Sequence, residues 1–236
     1  MIKIVSFKLC PFVQRVTGML AAKDVDYEIE YIQLNNKPKW FLNISPNGQV
    51  PILITEEGEA IHESDAIVEY IDEITEPLVP GLTAVQRARD RAWGYLASKH
   101  YIPQCSTMRS EDKEGFIKHL TGLSKAFEKV EAKLGSGPFF SGEKMGNVDI
   151  AWLPLLHRAQ LVTDHSGYDM FENFPKVSAW QKALLETGLP EKTVSEDFLE
   201  RFFNMYLAKE TFLGRGANFN ESYTPMEKPR NISSLC

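Results

Sequence analysis

Ile2-Lys3-Ile4-Val5-Ser6-Phe7-Lys8-Leu9-Cys10-Pro11-Phe12 is the stretch on which the reading of the chain turns. Residues 2–7 are a short apolar run with β-branched members, which predicts a strand. Pro11 suits the first turn of a helix, where a missing amide costs nothing. Val13, Val16, Met19 and Leu20 then recur at helical spacing on one face, so the helix is expected over residues 11–23. Cys10 stands at the junction. A thiol placed there faces the unsatisfied amides and the positive dipole end of the helix, which favour the thiolate. Such surroundings draw a thiol pKa from about 8.5 into the range of roughly 3.5–7.5. The plainer reading, a small buried hydrophobe, is the common fate of a lone cysteine. The strand–helix junction and the following proline argue against it here.

Working outward, residues 27–32 alternate apolar and polar with period two, predicting a half-buried strand. Residues 37–43 suit a short helix, and Ser45-Pro46-Asn47-Gly48 is a turn cluster. Residues 52–55 and 60–62, joined at Glu57-Gly58-Glu59, form a hairpin. Ser64 stands as the expected N-cap of a helix through residue 74 that buries Ile67, Val68, Tyr70 and Ile71. The order βαβ then ββα predicts a four-stranded mixed sheet with helices packed on it. Pro77-Leu78-Val79-Pro80-Gly81 breaks the pattern, and the strand signal then vanishes. Helices are expected over 85–108, 113–134, 148–164, 175–185 and 194–207. The divisions are therefore 1–76 for an α/β domain, 77–84 for a linker, 85–208 for an all-α domain, and 209–236 for an irregular tail rich in Gly, Asn, Ser and Pro.

With 236 residues and 43% hydrophobic content, the chain can bury a full core. A net charge of −6 argues against a nucleic-acid or anionic-membrane surface. No apolar run reaches the roughly 20 residues that span a bilayer, and the first residues lack a signal-peptide pattern. The sequons at Asn220 and Asn231 matter only after secretion. Three scattered cysteines, Cys10, Cys105 and Cys236, suit neither a disulfide framework nor zinc, so a cytoplasmic setting is expected. Cys105 reads as a packing residue and Cys236 as an adventitious thiol. The histidines at 62, 100, 119, 157 and 165 show no metal-ligand spacing, so no metal is expected and structural or surface roles are assigned to all five. Trp93, Trp152 and Trp180 read as core. Val13 occupies the third position after Cys10, so no internal resolving thiol is available. A disulfide formed at Cys10 has to be resolved by an external thiol.

Cys10-Pro11-Phe12 with Arg15, then Asn36-Lys37-Pro38 with Trp40-Phe41, Gly48-Gln49-Val50-Pro51 and Glu63-Ser64 occur in order and without insertion. That series resembles the N-terminal thioredoxin-like domain of the Omega-class, cysteine-type glutathione transferases, and the helical remainder resembles their C-terminal domain as far as about residue 208. The resemblance implies glutathione as co-substrate, Cys10 as catalytic thiol, and Phe12, Lys37, Val50, Pro51, Glu63 and Ser64 as its surroundings. Lys37 would meet the glycine carboxylate; alone it reads as a solvated lysine. Val50, before a cis Pro51, would pair with the cysteinyl backbone like an added strand. Glu63 and Ser64 would hold the γ-glutamyl end, Ser64 through its hydroxyl and the helix amides. By the same resemblance Arg158 and Phe198 fall near the pocket for the second substrate, a small hydrophobic or disulfide compound, although either also reads as an ordinary helix residue. Asp149 is similar to the aspartate of the family's capping motif, but Gly146 replaces the usual Ser or Thr three residues before it.

The implied activity is glutathione-dependent thiol transfer or reduction: deglutathionylation, or reduction of dehydroascorbate or of an S-glutathionyl ketone. Conventional conjugation to electrophiles is the less favoured enzyme reading, because it needs glutathione's own sulfur kept free. A different class is a non-catalytic binding module on the same scaffold, as in stringent-starvation or chloride intracellular channel proteins. The presence of Cys10 speaks against the first of these. Against the second stands a first helix made amphipathic by Gln14, Arg15, Thr17 and Lys23. A homodimer is what the family implies; no nucleic-acid or membrane partner is expected.

Overall fold

The computed structural model describes residues 1–216; the sequons, Cys236 and most of the expected tail lie outside the described residues. Four strands, β1 (Ile2–Ser6), β2 (Tyr27–Tyr31), β3 (Ile52–Ile54) and β4 (Ala60–His62), lie in the order β2-β1-β3-β4. β1 runs parallel to β2 and antiparallel to β3, and β3 pairs antiparallel with β4. The expected mixed sheet is thus present. Its two faces are sorted by strand parity. Ile4 and Leu53, paired in register, face α1 (Pro11–Ala22) and α3 (Ser64–Glu73) with Val13, Val16, Ile67, Val68 and Ile71. Val5 and Ile52, also paired, face the opposite way with Ile32 and Phe41 of α2 (Lys39–Ile44).

Four local expectations change. β2 is the sheet edge, so its alternation does not bury a face: Ile29 is 36% and Tyr31 38% exposed, and the edge carries the Lys3–Glu30 ion pair. Glu63, at φ 67°, is the N-cap of α3, and Ser64 is the first helical residue. Tyr70 is half-buried, while Ile67, Val68 and Ile71 are buried as expected. Most consequentially, α1 has no solvent face over most of its length. Gln14, Arg15 and Thr17 are buried with the apolar side chains, because the helical half packs on the side turned away from the sheet.

That half comprises α4 (Ala84–Met108), α5 (Lys113–Lys133), α6 (Asn147–Ser166), α7 (Pro175–Leu185), α8 (Leu189–Lys192) and α9 (Phe198–Tyr206). The helix expected over 194–207 is shortened to α9, and the short α8 before it was not expected. Ser195 and Asp197 bond to each other between them, and the Phe198 amide donates to the Ser195 carbonyl at 2.9 Å, so the second helix starts late. α1 lies against α4, α6 and α8. At Gly18 the approach is close enough that a β-carbon would stand 3.3 Å from Ile150 and 3.4 Å from Leu153.

Trp152 and Trp180 are core residues, and Trp93 is half-buried beside Phe140. Asp149 keeps its capping role without a serine partner. It accepts from the amides of Gly146 at 2.7 Å and Phe140 at 2.8 Å, and from Trp180 Nε1 at 2.6 Å. Among the described residues, no helix is long and apolar enough to cross a membrane.

Candidate active site

Cys10 is the N-cap of α1, in extended conformation at φ −71° and ψ 121°, with Pro11 as the first helical residue. Its amide donates to the Phe7 carbonyl at 3.0 Å, closing the turn out of β1, and its carbonyl accepts from Gln14 N at 3.1 Å. The residue is half-buried and lines a cavity of about 220 Å³.

The cavity collects Cys10, Phe12, Lys37, Val50, Pro51, Glu63 and Ser64, seven residues singled out from the sequence. The Val50–Pro51 bond is cis. The preceding turn is tied by Ser45 Oγ, which donates to the Gln49 carbonyl at 3.0 Å and accepts the Gln49 amide at 2.9 Å. Gly48 sits in this turn at φ 60°, where a side chain would be strained. Ser64 is buried at the α3 N-terminus, while Glu63 is exposed at the rim. A hydroxyl, helix amides and a carboxylate therefore converge at one end of the cavity. That combination can receive an amino acid's carboxylate and ammonium together. Lys37 adds a cation to the cavity lining.

Several lining residues were not anticipated. Asn47 and Gln49 belong to the turn cluster that the sequence does mark. His62, assigned only a structural or surface role, lines the cavity beside Glu63. Ile102 and Tyr206 come from α4 and α9, and no local signal announces them. Phe12 meets Tyr101 edge-on, with ring centroids 5.0 Å apart. Tyr101 is fully buried and donates its hydroxyl to the Ala151 carbonyl. Burial pushes its ionisation well above the usual tyrosine range, so this phenol stays neutral.

Arg158 and Phe198 are not brought to this cavity. Both are buried in the seam behind α1, at 0% and 1% exposure, with the guanidinium 5.6 Å from the Phe198 ring centre. The crevice they share with Cys10 is only about 10 Å³, too small for a ligand. A broader groove of about 730 Å³ instead adjoins the cavity, sharing Phe7, Leu9 and Leu34 with it. Its rim carries Lys8, Tyr31, Arg109 and Arg201. Asp197 bridges Lys8 at 2.8 Å and Arg201 at 2.6 Å, and these donors hold its carboxyl well below the usual range. Among the described residues, no cluster of three or more His, Cys, Asp or Glu side chains could hold a metal ion.

Comparison with known proteins bears on the same residues. The family model for the glutathione S-transferase N-terminal domain matches residues 9–74, and that for the C-terminal domain matches residues 107–196. Glutathione S-transferase DHAR2 of Arabidopsis thaliana is 31% identical over 187 residues, 78% of this chain and 83% of that one. The chain belongs to the glutathione S-transferase family. Glutathione S-transferase omega-1 of Rattus norvegicus is likewise 31% identical, over 78% of this transferase and 77% of the rat protein. The crystal structure of glutathione transferase Omega 3C from Trametes versicolor superposes with a TM-score of 0.71 at 26% identity, covering 83% of this chain and 89% of that one. The transferase thus has the thioredoxin-like sheet and the helical domain of its family, and its curated relatives carry Omega and DHAR names.

Proposed function

We propose that this transferase is a glutathione-dependent thiol transferase and reductase, with Cys10 as its catalytic thiol. The observation that carries this reading is the position of Cys10: at the N-terminus of α1 and in the lining of the same cavity as Lys37, Val50, Glu63 and Ser64. The helix dipole favours the thiolate there.

In the first step the Cys10 thiolate attacks the glutathione sulfur of a mixed disulfide. A Cys10–glutathione disulfide forms, and the substrate leaves as its thiolate. In the second step the sulfur of a second glutathione attacks that bond, releasing oxidised glutathione and restoring the Cys10 thiolate. One free glutathione is consumed per mixed disulfide, since the other half of the oxidised glutathione is the group removed from the substrate. Dehydroascorbate carries no glutathionyl group and takes up two electrons and two protons, so its reduction consumes two free glutathiones.

In the cavity, Ser64 and the α3 amides take the γ-glutamyl carboxylate, Glu63 takes the ammonium, and Lys37 takes the glycine carboxylate. The Val50 backbone, in the cavity lining, pairs with the cysteinyl residue. Phe12 and Pro51 pack beside the sulfur. The second substrate, a small hydrophobic or disulfide compound, enters along the groove beside Phe7 and Leu9. Conjugation is disfavoured: Tyr101, an aromatic hydroxyl near the thiol, is already committed to a backbone carbonyl. The odd cysteine count suits a reducing cytoplasm, and a homodimer is the assembly the family implies. Reduction of hydroxyethyl disulfide by glutathione tests the reading. The native protein is expected to turn it over and Cys10→Ala to lose that activity; full activity in the variant refutes the mechanism.

A further inference from the structure

The seam behind Cys10 holds a buried guanidinium with no acid beside it. Arg158 is wholly buried, yet among the described residues no carboxylate pairs with it. Its contacts are all neutral. Nη1 donates to Gln14 Oε1 and to the Pro154 carbonyl at 3.1 Å, and Nη2 donates to the Leu9 carbonyl at 3.1 Å. Nε has no partner. A desolvated cation without a counter-charge is costly, and proteins ordinarily pair one. The Leu9 carbonyl belongs to the peptide that leads into Cys10. Arg158 and Cys10 also line the same small crevice, with Ser6, Gln14 and Thr193.

The other ionisable groups around this point supply no competing charge. His157, next to Arg158 on α6, has its Nδ1 2.9 Å from Gln14 Nε2; burial, and then the Arg158 charge, push its pKa down to about 3, so it is neutral. Tyr101 on α4 is neutral as well. Arg15 of α1 is paired with Asp65 of α3, and Lys8 with Asp197 before α9. Tyr31 of β2 lies under Lys8, and burial raises its ionisation first of all. His62, Glu63 and Lys37 stand on the cavity side of Cys10. The guanidinium is therefore the unpaired charge on the buried side of the thiol.

We propose that Arg158 is a positioning residue for Cys10, a buried cation that anchors the Leu9–Cys10 peptide and is balanced by the thiolate when Cys10 ionises. The proton leaves to solvent through the open face of the cavity. Gln14 fixes the arrangement, because its oxygen takes Nη1 while its amide nitrogen is held 3.0 Å from Thr193 Oγ1 and 2.9 Å from His157 Nδ1. The inference rests on Cys10 being the working thiol, and its test separates the two claims.

The test is the pH profile of iodoacetamide alkylation at Cys10, read on the Cys10 peptide by mass spectrometry, in the native chain, Arg158→Gln and Arg158→Lys. Gln keeps a donor for the Leu9 carbonyl but no charge; Lys keeps the charge. The expected result is a low midpoint in the native chain, a rise of about one unit or more in Arg158→Gln, on the order expected for losing one nearby opposite charge, and partial recovery in Arg158→Lys. Should Arg158→Gln not fold, Gln14→Glu makes the same test by setting a carboxylate against the guanidinium, and the midpoint should again rise. An unmoved low midpoint in the neutralised variants overturns the role of Arg158 and leaves the thiol reading intact. An ordinary midpoint near 8.5 in the native chain, with no disulfide reduction, overturns both.

Discussion

Asn47 donates from Nδ2 to Glu63 Oε1 at 3.2 Å, linking the turn before the cis proline to the residue that opens α3. Glu63 holds φ 67°, an unfavourable backbone for a side chain other than glycine, and it does so at the cavity rim. Asn47→Ala is expected to leave the fold intact and raise the KM for glutathione by about 2–10-fold, the worth of one ordinary hydrogen bond. Steady-state kinetics at saturating disulfide measures it; an unchanged KM would show that the Asn47–Glu63 bond does not orient the carboxylate.

Ser64 and Lys37 are expected to matter more, because each meets a charged end of the tripeptide. Loss of one charge-assisted hydrogen bond is worth about 1.5–3 kcal/mol, so Ser64→Ala and Lys37→Ala should each weaken glutathione binding by roughly 10–100-fold. Calorimetric titration with glutathione reads this directly. Native affinity in both variants would remove them from the binding site.

His157 should make the protein acid-sensitive. Its folded pKa, about 3, lies below the ordinary 6.5 because burial and Arg158 disfavour the imidazolium. Between these values the unfolded chain binds a proton that the folded chain does not, so stability is full above pH 6.5 and falls as pH drops toward 3. The linked loss at pH 5 is about 2 kcal/mol relative to pH 8. His157→Asn keeps an acceptor toward Gln14 but cannot titrate, and its urea-unfolding stability should lose that much less over the same interval.

Asp149 accepts three hydrogen bonds in a buried site, two from backbone amides and one from Trp180. Asp149→Ala strands all three donors. At about 1–3 kcal/mol for each unsatisfied buried group, the variant should lose at least about 3 kcal/mol in chemical denaturation. A loss below about 1 kcal/mol would mean that water reaches these amides.

The sheet and most helices were legible because period-two and helical spacings are local signals, and Cys10 stood out through the proline that follows it. The cavity residues near the sheet could be named because they come in short runs: Gly48-Gln49-Val50-Pro51 and Glu63-Ser64. What depends on contact across the seam was hidden. Gln14, Arg15 and Thr17 look like a solvated face, and only the docking of α4, α6 and α8 buries them. For the same reason Arg158, read as a pocket residue, lies behind the thiol. Ile102 and Tyr206 reach the cavity from α4 and α9, far along the chain from Cys10, and nothing in their own neighbourhoods says so.

The most direct measurement is peptide mapping after brief exposure of the chain to oxidised glutathione near neutral pH. A glutathionyl group on Cys10, removed by added glutathione, is the predicted result. A Cys10 peptide that stays unmodified while Cys105 or Cys236 takes up the label would contradict the account.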